Sequence, residues 1–299
     1  MQHLHTFTGH TAPLYALAHG DGPGRFLSAG GDGRIVAWDL ARPDEGTVLA
    51  TVPRPVFAMH MVAGTDLLLV GTDTGTLHVV DRCAQRELQA FEVHAKGIFR
   101  IIAPGDGLLA CAGGDGCIST WRIAAAGLER VRQVPLVDAK VRDLAVAPDG
   151  RWLAVACGDG TVRVLDIVSF NEPYTVEAHA NGATCLAYHP TKPVLLSGGK
   201  DGHLRAWHTA EGHRAVHAFP AHGGTIYGLG FSPDHRWLVS VGRDRSVKQW
   251  DANDLSWRGT AQPPPGRPLR SVNALLWSGD HLITVGDDRA VHVWRTNNN

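Results

Sequence analysis

Apolar and polar residues alternate with a period of two in short runs that recur along the whole chain. Examples are RIVAW at 34–38, TVRVL at 161–165 and SVKQW at 246–250, and this alternation predicts half-buried β-strands. Other short runs, such as RWLAVACG and RWLVSVG, are rich in branched apolar residues and are bounded by Gly, Pro and Asp, which is also typical of strands. No segment keeps a period of 3.6, so the pattern predicts an all-β chain.

A glycine- and aspartate-rich turn precedes the alternating run in seven places. The first copy, GGDGRIVAWD at 30–39, could be taken alone for a phosphate-binding loop, but such a loop opens a helix and does not recur. The seven turn positions follow one another at intervals of 41 to 44 residues: Asp32, Thr74, Asp115, Asp159, Asp201, Asp244 and Asp288. About four strands in each such interval predict one propeller blade, and seven blades close a ring.

These repeats resemble the WD-repeat (tryptophan–aspartate repeat) β-propeller family over essentially all 299 residues. The resemblance rests on Trp-Asp at 38–39 and 250–251, on Gly-His at 9–10, and on a histidine ahead of three further repeats, at 94, 179 and 222. It implies a single domain, 1–299, folded as a seven-bladed β-propeller with four-stranded antiparallel blades.

The two ends of the chain are predicted to share a blade. The segment HLHTFTGH at 3–10 aligns with ELQAFEVH at 87–94 and AVHAFPAH at 215–222, which lie where the outermost strand of an interior blade is expected. The last repeat offers only three strands before the sequence ends shortly after Trp294. We therefore expect the N-terminal strand, at about 3–8, to complete blade seven and remove an open sheet edge.

The family resemblance also implies a hydrogen-bonded set in each blade, made of a histidine, a hydroxyl, the turn aspartate and the tryptophan. Blade three carries Cys111 at the hydroxyl position, blade seven lacks the histidine, and blades two and four have Val70 and Val155 and should rely on apolar packing. Three copies on three blades argue against a catalytic triad. The complete sets fall in blades one, five and six: His10, Ser28, Asp32, Trp38; His179, Ser197, Asp201, Trp207; and His222, Ser240, Asp244, Trp250.

Composition and motif searches favour a non-catalytic protein without metal or cofactor. The 28 basic and 29 acidic side chains nearly balance, so charge does not favour nucleic acid or membrane partners. Neither HExxH, GxSxG nor GxxxxGK[ST] occurs. His213 and His217 lie about 13 Å apart if both are on an extended outer strand, where we expect them to be solvated.

Cysteine usage and the N-terminus predict a cytoplasmic location. The five cysteines form no CxxC pair, which favours reduced thiols over a disulfide framework. The start of the chain, MQHLHTFTGH, has no basic region followed by an apolar run. No run approaches 18 apolar residues, so we expect no membrane span.

The residue five positions after each blade-leading histidine is expected to face the central channel, where partners of this family usually bind. Four of these seven ring positions are aromatic, whereas basic residues gather on blades four to six and Asp73 and Asp287 lie on blades two and seven. The ring positions are Tyr15, Phe57, Phe99, Arg142, Thr184, Tyr227 and Asn273.

We therefore hypothesise a protein–protein interaction scaffold whose channel-rim face binds a peptide or loop of a partner. The propeller is expected to be monomeric and part of a multi-protein complex. An enzyme with a site at the central channel, a nucleic-acid-associated subunit, and assembly through blade edges remain alternatives. The predicted partner-binding residues are Tyr15, Phe57, Phe99, Lys140, Arg142, Lys200, Tyr227 and Arg243.

Overall fold

Seven antiparallel four-stranded sheets form the fold in the computed structural model, which describes residues 1–43, 45–105, 107–124, 127–263 and 269–296. The innermost strand of each sheet contacts the innermost strands of both neighbours, so the sheets close a ring. The predicted all-β, seven-bladed propeller is confirmed. In these described ranges the 3₁₀ turn Thr209–Glu211 is the sole helical element, and no helix is long and apolar enough to cross a bilayer.

In blades one to six the strands run from the channel outward in chain order. Those of blades one to three are β2 (Leu14–His19), β3 (Arg25–Gly30), β4 (Arg34–Asp39), β5 (Gly46–Thr51), β6 (Val56–Met61), β7 (Leu67–Thr72), β8 (Thr76–Asp81), β9 (Arg86–Glu92), β10 (Ile98–Gly105), β11 (Leu108–Gly113), β12 (Cys117–Ala124) and β13 (Gly127–Pro135). Those of blades four and five are β14 (Val141–Val146), β15 (Trp152–Cys157), β16 (Thr161–Asp166), β17 (Tyr174–Glu177), β18 (Ala183–Tyr188), β19 (Val194–Gly199), β20 (His203–His208) and β21 (Arg214–Pro220). Those of blade six are β22 (Ile226–Phe231), β23 (Trp237–Gly242), β24 (Val247–Asp251) and β25 (Trp257–Thr260).

Blade seven combines both ends of the chain. Its inner strands are β26 (Val272–Ser278), β27 (His281–Gly286) and β28 (Val291–Arg295), and its outermost strand is β1 (Gln2–Phe7). Strand β1 pairs antiparallel with β28. The predicted closure by the N-terminal strand is confirmed.

The core lies between neighbouring blades rather than within any one sheet. The buried apolar clusters of the described residues each combine side chains from two adjacent blades. Phe7 shows how ring closure joins this core, because its ring lies 5.6 Å from that of Phe26 and 5.0 Å from that of Trp38 in blade one. Each blade therefore depends on both neighbours for burial of its apolar faces.

Removing the Phe7 side chain from the closing strand should destabilise the whole ring. Phe7 is 2% exposed, so Phe7→Ala removes a buried ring from the junction of blades seven and one and should lower the free energy of unfolding by about 3–5 kcal/mol. Leu4→Ala, on the same strand at 38% exposure, should change it by about 0.5 kcal/mol or less. Urea denaturation measures both, and equal effects of the two variants would contradict the role given to Phe7.

Candidate functional site

A bulge at the start of every innermost strand directs one side chain toward the channel. In each blade the pairing between the first two strands shifts by one residue between the first and third residues of the inner strand. A bulged residue leaves the ladder, and its side chain takes a new direction. The seven residues skipped in this way are the ring positions: Tyr15, Phe57, Phe99, Arg142, Thr184, Tyr227 and Asn273.

All seven ring positions line a single cavity at the channel mouth, here called the ring cavity. Its volume is about 520 Å³, and Lys140, Ser271 and Asp287 complete its lining. Six of the eight residues predicted to bind a partner therefore lie together. The other two, Lys200 and Arg243, are exposed and do not line it.

Three of the four aromatic ring positions form a continuous wall that ends in two cations. Tyr15 meets Phe57 edge-on with ring centroids 5.3 Å apart, and Phe57 stacks on Phe99 at 5.6 Å and 18°. The Arg142 guanidinium lies 4.3 Å from the centroid of Phe99, and the Lys140 ammonium lies 5.5 Å from it. Aromatic pairs and cation–π contacts of this geometry are attractive, so the wall is preformed.

An ion pair that was not predicted from the sequence lies below this wall. Asp143 accepts hydrogen bonds from the backbone N–H groups of Leu144 and Leu186, both at 2.9 Å, and lies 3.2 Å from Arg100 Nε. Burial raises the pKa of the Asp143 carboxyl, whereas the Arg100 charge opposes that rise. Burial also lowers the pKa of the neighbouring Arg142 guanidinium. The signal available in the sequence was the run VRDLAV, where two charges interrupt an apolar inner strand.

Two of the ring positions hold neighbouring blades together. Thr184 donates from Oγ1 to the carbonyl of Ile226, at 2.5 Å. Asn273 donates from Nδ2 to the carbonyl of Leu14 at 2.9 Å and to the Asp287 carboxylate at 2.8 Å. These short polar side chains are occupied by structural bonds, so the surface open to a ligand comes mainly from the five larger ring residues.

The two acids at the margin differ in availability. The Asp73 carboxylate forms a bidentate pair with Arg54, at 3.0 and 2.8 Å, and does not line the ring cavity. Asp287 lines it and lies near Tyr15, whose pKa is raised by burial and by this carboxylate. The Tyr15 phenol therefore stays neutral at physiological pH.

Blades one, five and six carry the hydrogen-bonded sets that were expected from the sequence. In each, histidine Nδ1 lies 2.9 Å from the turn aspartate, histidine Nε2 lies 2.7–2.9 Å from the serine oxygen, and tryptophan Nε1 donates to that oxygen at 2.7–3.0 Å. All three serines are fully buried. Each serine hydroxyl is held between two rings, which suits a structural link and not a nucleophile.

Blade three corrects the expectation that Cys111 leaves its set without a hydroxyl. Ser119, on the next strand, lies 3.0 Å from His94 Nε2 and accepts from Trp121 Nε1 at 3.0 Å. Ser119 is the residue paired with Cys111 across the two strands. A hydroxyl from either strand therefore reaches the same point between the two rings.

Blade seven replaces its missing histidine in a similar way. His292, on β28, lies 2.7 Å from the turn carboxylate of Asp288 through Nε2. Trp294 donates to Thr284 Oγ1 at 2.9 Å, and Thr6 of the closing strand lies 3.2 Å from His292 Nδ1. The substitute histidine thus links the N-terminal strand to the last repeat.

Blades two and four are held by more than the apolar packing expected of them. Val70 and Val155 are fully buried, as that expectation requires. In blade two, however, His78 Nδ1 lies 2.6 Å from Glu87. In blade four, Arg163 approaches two carboxylates and donates to a backbone carbonyl at 2.8 Å. Both blades thus use other polar links.

The histidine pair of blade five separates into two environments. His217 is exposed on β21, as expected, but the expectation was wrong for His213, which precedes that strand and is 4% exposed. Its backbone takes φ of +60°, and its ring lies 4.8 Å from that of Tyr174. Among the described residues no group of three or more His, Cys, Asp or Glu side chains is placed to hold a metal ion.

The protein is a seven-bladed propeller, and all seven blades contribute a side chain to the cavity at its channel mouth. The family model described as "WD domain, G-beta repeat" matches residues 1–39 and 213–251, and the "Anaphase-promoting complex subunit 4 WD40 domain" model matches 101–191. The chain belongs to the WD-repeat family.

Curated relatives share this family at low identity. The chain is 24% identical over 253 residues to transducin beta-like protein 3 of Bos taurus, covering 79% of this chain and 30% of that protein. It is 24% identical over 304 residues to protein groucho of Drosophila melanogaster, covering 96% and 35%. It is 27% identical over 191 residues to target of rapamycin complex subunit wat1 of Schizosaccharomyces pombe, covering 63% and 59%. The chain thus spans less than two thirds of each of these relatives.

The hydroxyl of blade three supplies a direct stability test. Ser119→Ala leaves Trp121 Nε1 and His94 Nε2 buried without a partner and should lower the free energy of unfolding by about 2–3 kcal/mol. Cys111→Ser alone should not stabilise, because Ser119 already fills the position. Adding Cys111→Ser to Ser119→Ala should recover part of the loss. Denaturation of the three variants measures this, and a stabilising Cys111→Ser would contradict it.

The buried sets also predict that the protein loses stability in acid. Burial alone would raise the pKa of the Asp244 carboxyl, but hydrogen bonds from His222, Ser246 and the backbone lower it well below its ordinary value. Burial lowers the pKa of His179, against its carboxylate partner. Both groups bind protons more readily in the unfolded chain. Their stabilisation is therefore complete above about pH 6.5 for the histidine and about pH 4 for the carboxyl, and it is lost below those values.

Urea midpoints measured from pH 8 to pH 3 test this expectation. They should fall below about pH 6.5 and more steeply below about pH 4. Asp244→Asn should lower stability at neutral pH and flatten the steep part. Urea midpoints that rise as the pH is lowered from 6.5 to 4 would contradict this expectation.

Proposed function

We propose that this propeller is a non-catalytic protein–protein interaction scaffold that binds a peptide or loop of a partner protein in the ring cavity. The relative wat1 is a target of rapamycin complex subunit, and by analogy we propose that this chain also belongs to a multi-protein complex. A cytoplasmic location and a monomeric propeller belong to the same proposal.

The observation that carries this proposal is the continuous wall from Tyr15 through Phe57 and Phe99 to Arg142. Aromatic and arginine side chains dominate the binding energy of protein interfaces, above all when they cluster at the centre of a patch. Here their mutual contacts fix their rotamers, so a partner would lose little side-chain entropy from this surface on binding.

The charges around the wall indicate what the partner brings. Arg142 and the exposed Lys140 form a cationic end, and Lys200 and Arg243 extend the positive charge beyond the cavity. An acidic partner side chain would pair with this end. An apolar or cationic side chain beside it would rest on the faces of Tyr15 and Phe57, with Asp287 at the margin.

The chemistry of the lining favours binding over catalysis. The titratable side chains that line the ring cavity are Tyr15, Lys140, Arg142, Tyr227 and Asp287. This set holds a single carboxyl and neither histidine nor cysteine, so it offers neither a paired-carboxylate site nor an activated nucleophile. In blades one, five and six, the serine hydroxyl beside each histidine–aspartate pair is also hydrogen-bonded to a tryptophan, so it is not free to act as a nucleophile.

A fivefold ring variant tests the proposal. Tyr15→Ser, Phe57→Ser, Phe99→Ser, Arg142→Ser and Tyr227→Ser, combined in the full chain, should abolish partner capture in affinity purification from the native cell. The matched control replaces five exposed apolar residues of the outer strands with serine and should capture the same partners as wild type. Its positions are Val48, Leu88, Val131, Val216 and Trp257.

Circular dichroism of both variants checks that the β-fold is retained. Loss of capture by the outer-strand variant with retention by the ring variant would move the interface to the blade edges. Turnover of lactones, phosphoesters or peptides that the ring variant loses would favour the enzyme alternative instead.

A further inference from the structure

A second pocket, of about 470 Å³, lies between blades four and five. It opens where the innermost strands end, whereas the ring cavity lies where they begin, so the two are on opposite faces. We call it the blade 4–5 pocket. Trp152 at the start of β15, Tyr174 at the start of β17 and Tyr188 at the end of β18 line it, together with His213.

Flat, rigid side chains form its walls. The rings of Trp152 and Tyr174 meet at 67° with centroids 6.1 Å apart, and the ring of Tyr174 lies 4.8 Å from that of His213. Pro148 and Pro190, from the first turns of the two blades, also line the pocket. Such a surface can pack against rings or short aliphatic groups at little entropic cost.

Buried polar atoms of two side chains that line this pocket lack hydrogen-bond partners. Neither ring nitrogen of His213 nor the Tyr188 hydroxyl finds a partner among the described residues, and His213 is 4% exposed. Buried polar groups of native proteins nearly always have partners. Burial lowers the pKa of His213 and raises that of Tyr188, so at neutral pH each keeps one hydrogen to donate.

The pocket carries no net charge. Its two charged side chains are Asp149 and Lys192, and the Lys192 ammonium donates to the carbonyl of Asn253 at 2.9 Å. A phosphate or a carboxylate would therefore meet the Asp149 carboxylate as well as the Lys192 ammonium, so the lining does not favour an anion. The lining matches a neutral ligand that supplies hydrogen-bond acceptors and apolar rings.

We propose that the blade 4–5 pocket binds a proline-rich peptide segment in the extended polyproline II conformation, on the face opposite the ring cavity. Polyproline II has no internal hydrogen bonds, so its carbonyls are free to accept from Tyr188 and His213. Its proline rings pack on the faces of Trp152 and Tyr174. Aromatic-lined grooves recognise such segments in this manner, because the peptide loses little entropy on binding.

Fluorescence anisotropy with a labelled octaproline peptide tests the proposal on the full chain. Wild type should bind octaproline saturably and should not bind a glycine–serine octamer of equal length. Tyr188→Phe removes only the unpartnered hydroxyl, so it should weaken octaproline binding about five- to tenfold without lowering the denaturation midpoint.

A second pair of variants removes aromatic surface. Tyr174→Ala, at a side chain 36% exposed, should weaken octaproline binding at least tenfold, whereas Trp257→Ala, at a remote side chain 60% exposed, should leave it unchanged. Octaproline binding that is absent in wild type, or equal in wild type, Tyr188→Phe and Tyr174→Ala, would overturn the proposal. The proposal would also be overturned if choline competed with octaproline and bound Tyr188→Phe as tightly as wild type. That result would show that the pocket binds a cation.

Discussion

The antiparallel pairing of β1 with β28 holds the seven blades in a closed ring. Each apolar cluster lies between two blades, so an open ring would expose two blade faces at once. The ring cavity needs the same closure, because Asn273 of blade seven bonds to Leu14 of blade one across the junction. Pairing of residues almost 300 positions apart thus holds a surface to which seven repeats contribute one side chain each.

Within the blades, one buried point is kept while the residues that fill it change. A hydroxyl between a histidine and a tryptophan comes from the second strand in blade one, as Ser28, and from the third strand in blade three, as Ser119. The bulge at the head of each inner strand has the opposite effect, because it fixes a direction and leaves the residue free. Tyr15, Arg142 and Thr184 occupy equivalent bulges with unlike chemistry, which is how a regular fold can carry an irregular binding surface.

Much of the fold could be predicted because turn spacing and strand alternation are local signals that repeat. Features that depend on strand pairing could not be predicted from spacing. Ser119 can supply the hydroxyl of blade three because it pairs with Cys111. His292 can supply the histidine of blade seven because it pairs with Thr284. The sequence also could not predict which side chains extend into the ring cavity. Lys200 and Arg243 sit at repeat positions equivalent to Asp287, yet only Asp287 lines the ring cavity. The His213 ring is buried against Tyr174 of the neighbouring blade, a contact that an outer-strand alignment does not predict.

Site-specific photo-crosslinking can show whether a partner protein occupies the ring cavity. A benzophenone amino acid at position 140, at the cationic end of the aromatic wall, is compared in native extract with one at position 216, an exposed site on the outer strand of blade five. We expect a defined partner peptide, rich in acidic residues beside an apolar or basic one, to be linked at 140 and not at 216. Linkage of the same partner at 216, with none at 140, would contradict it.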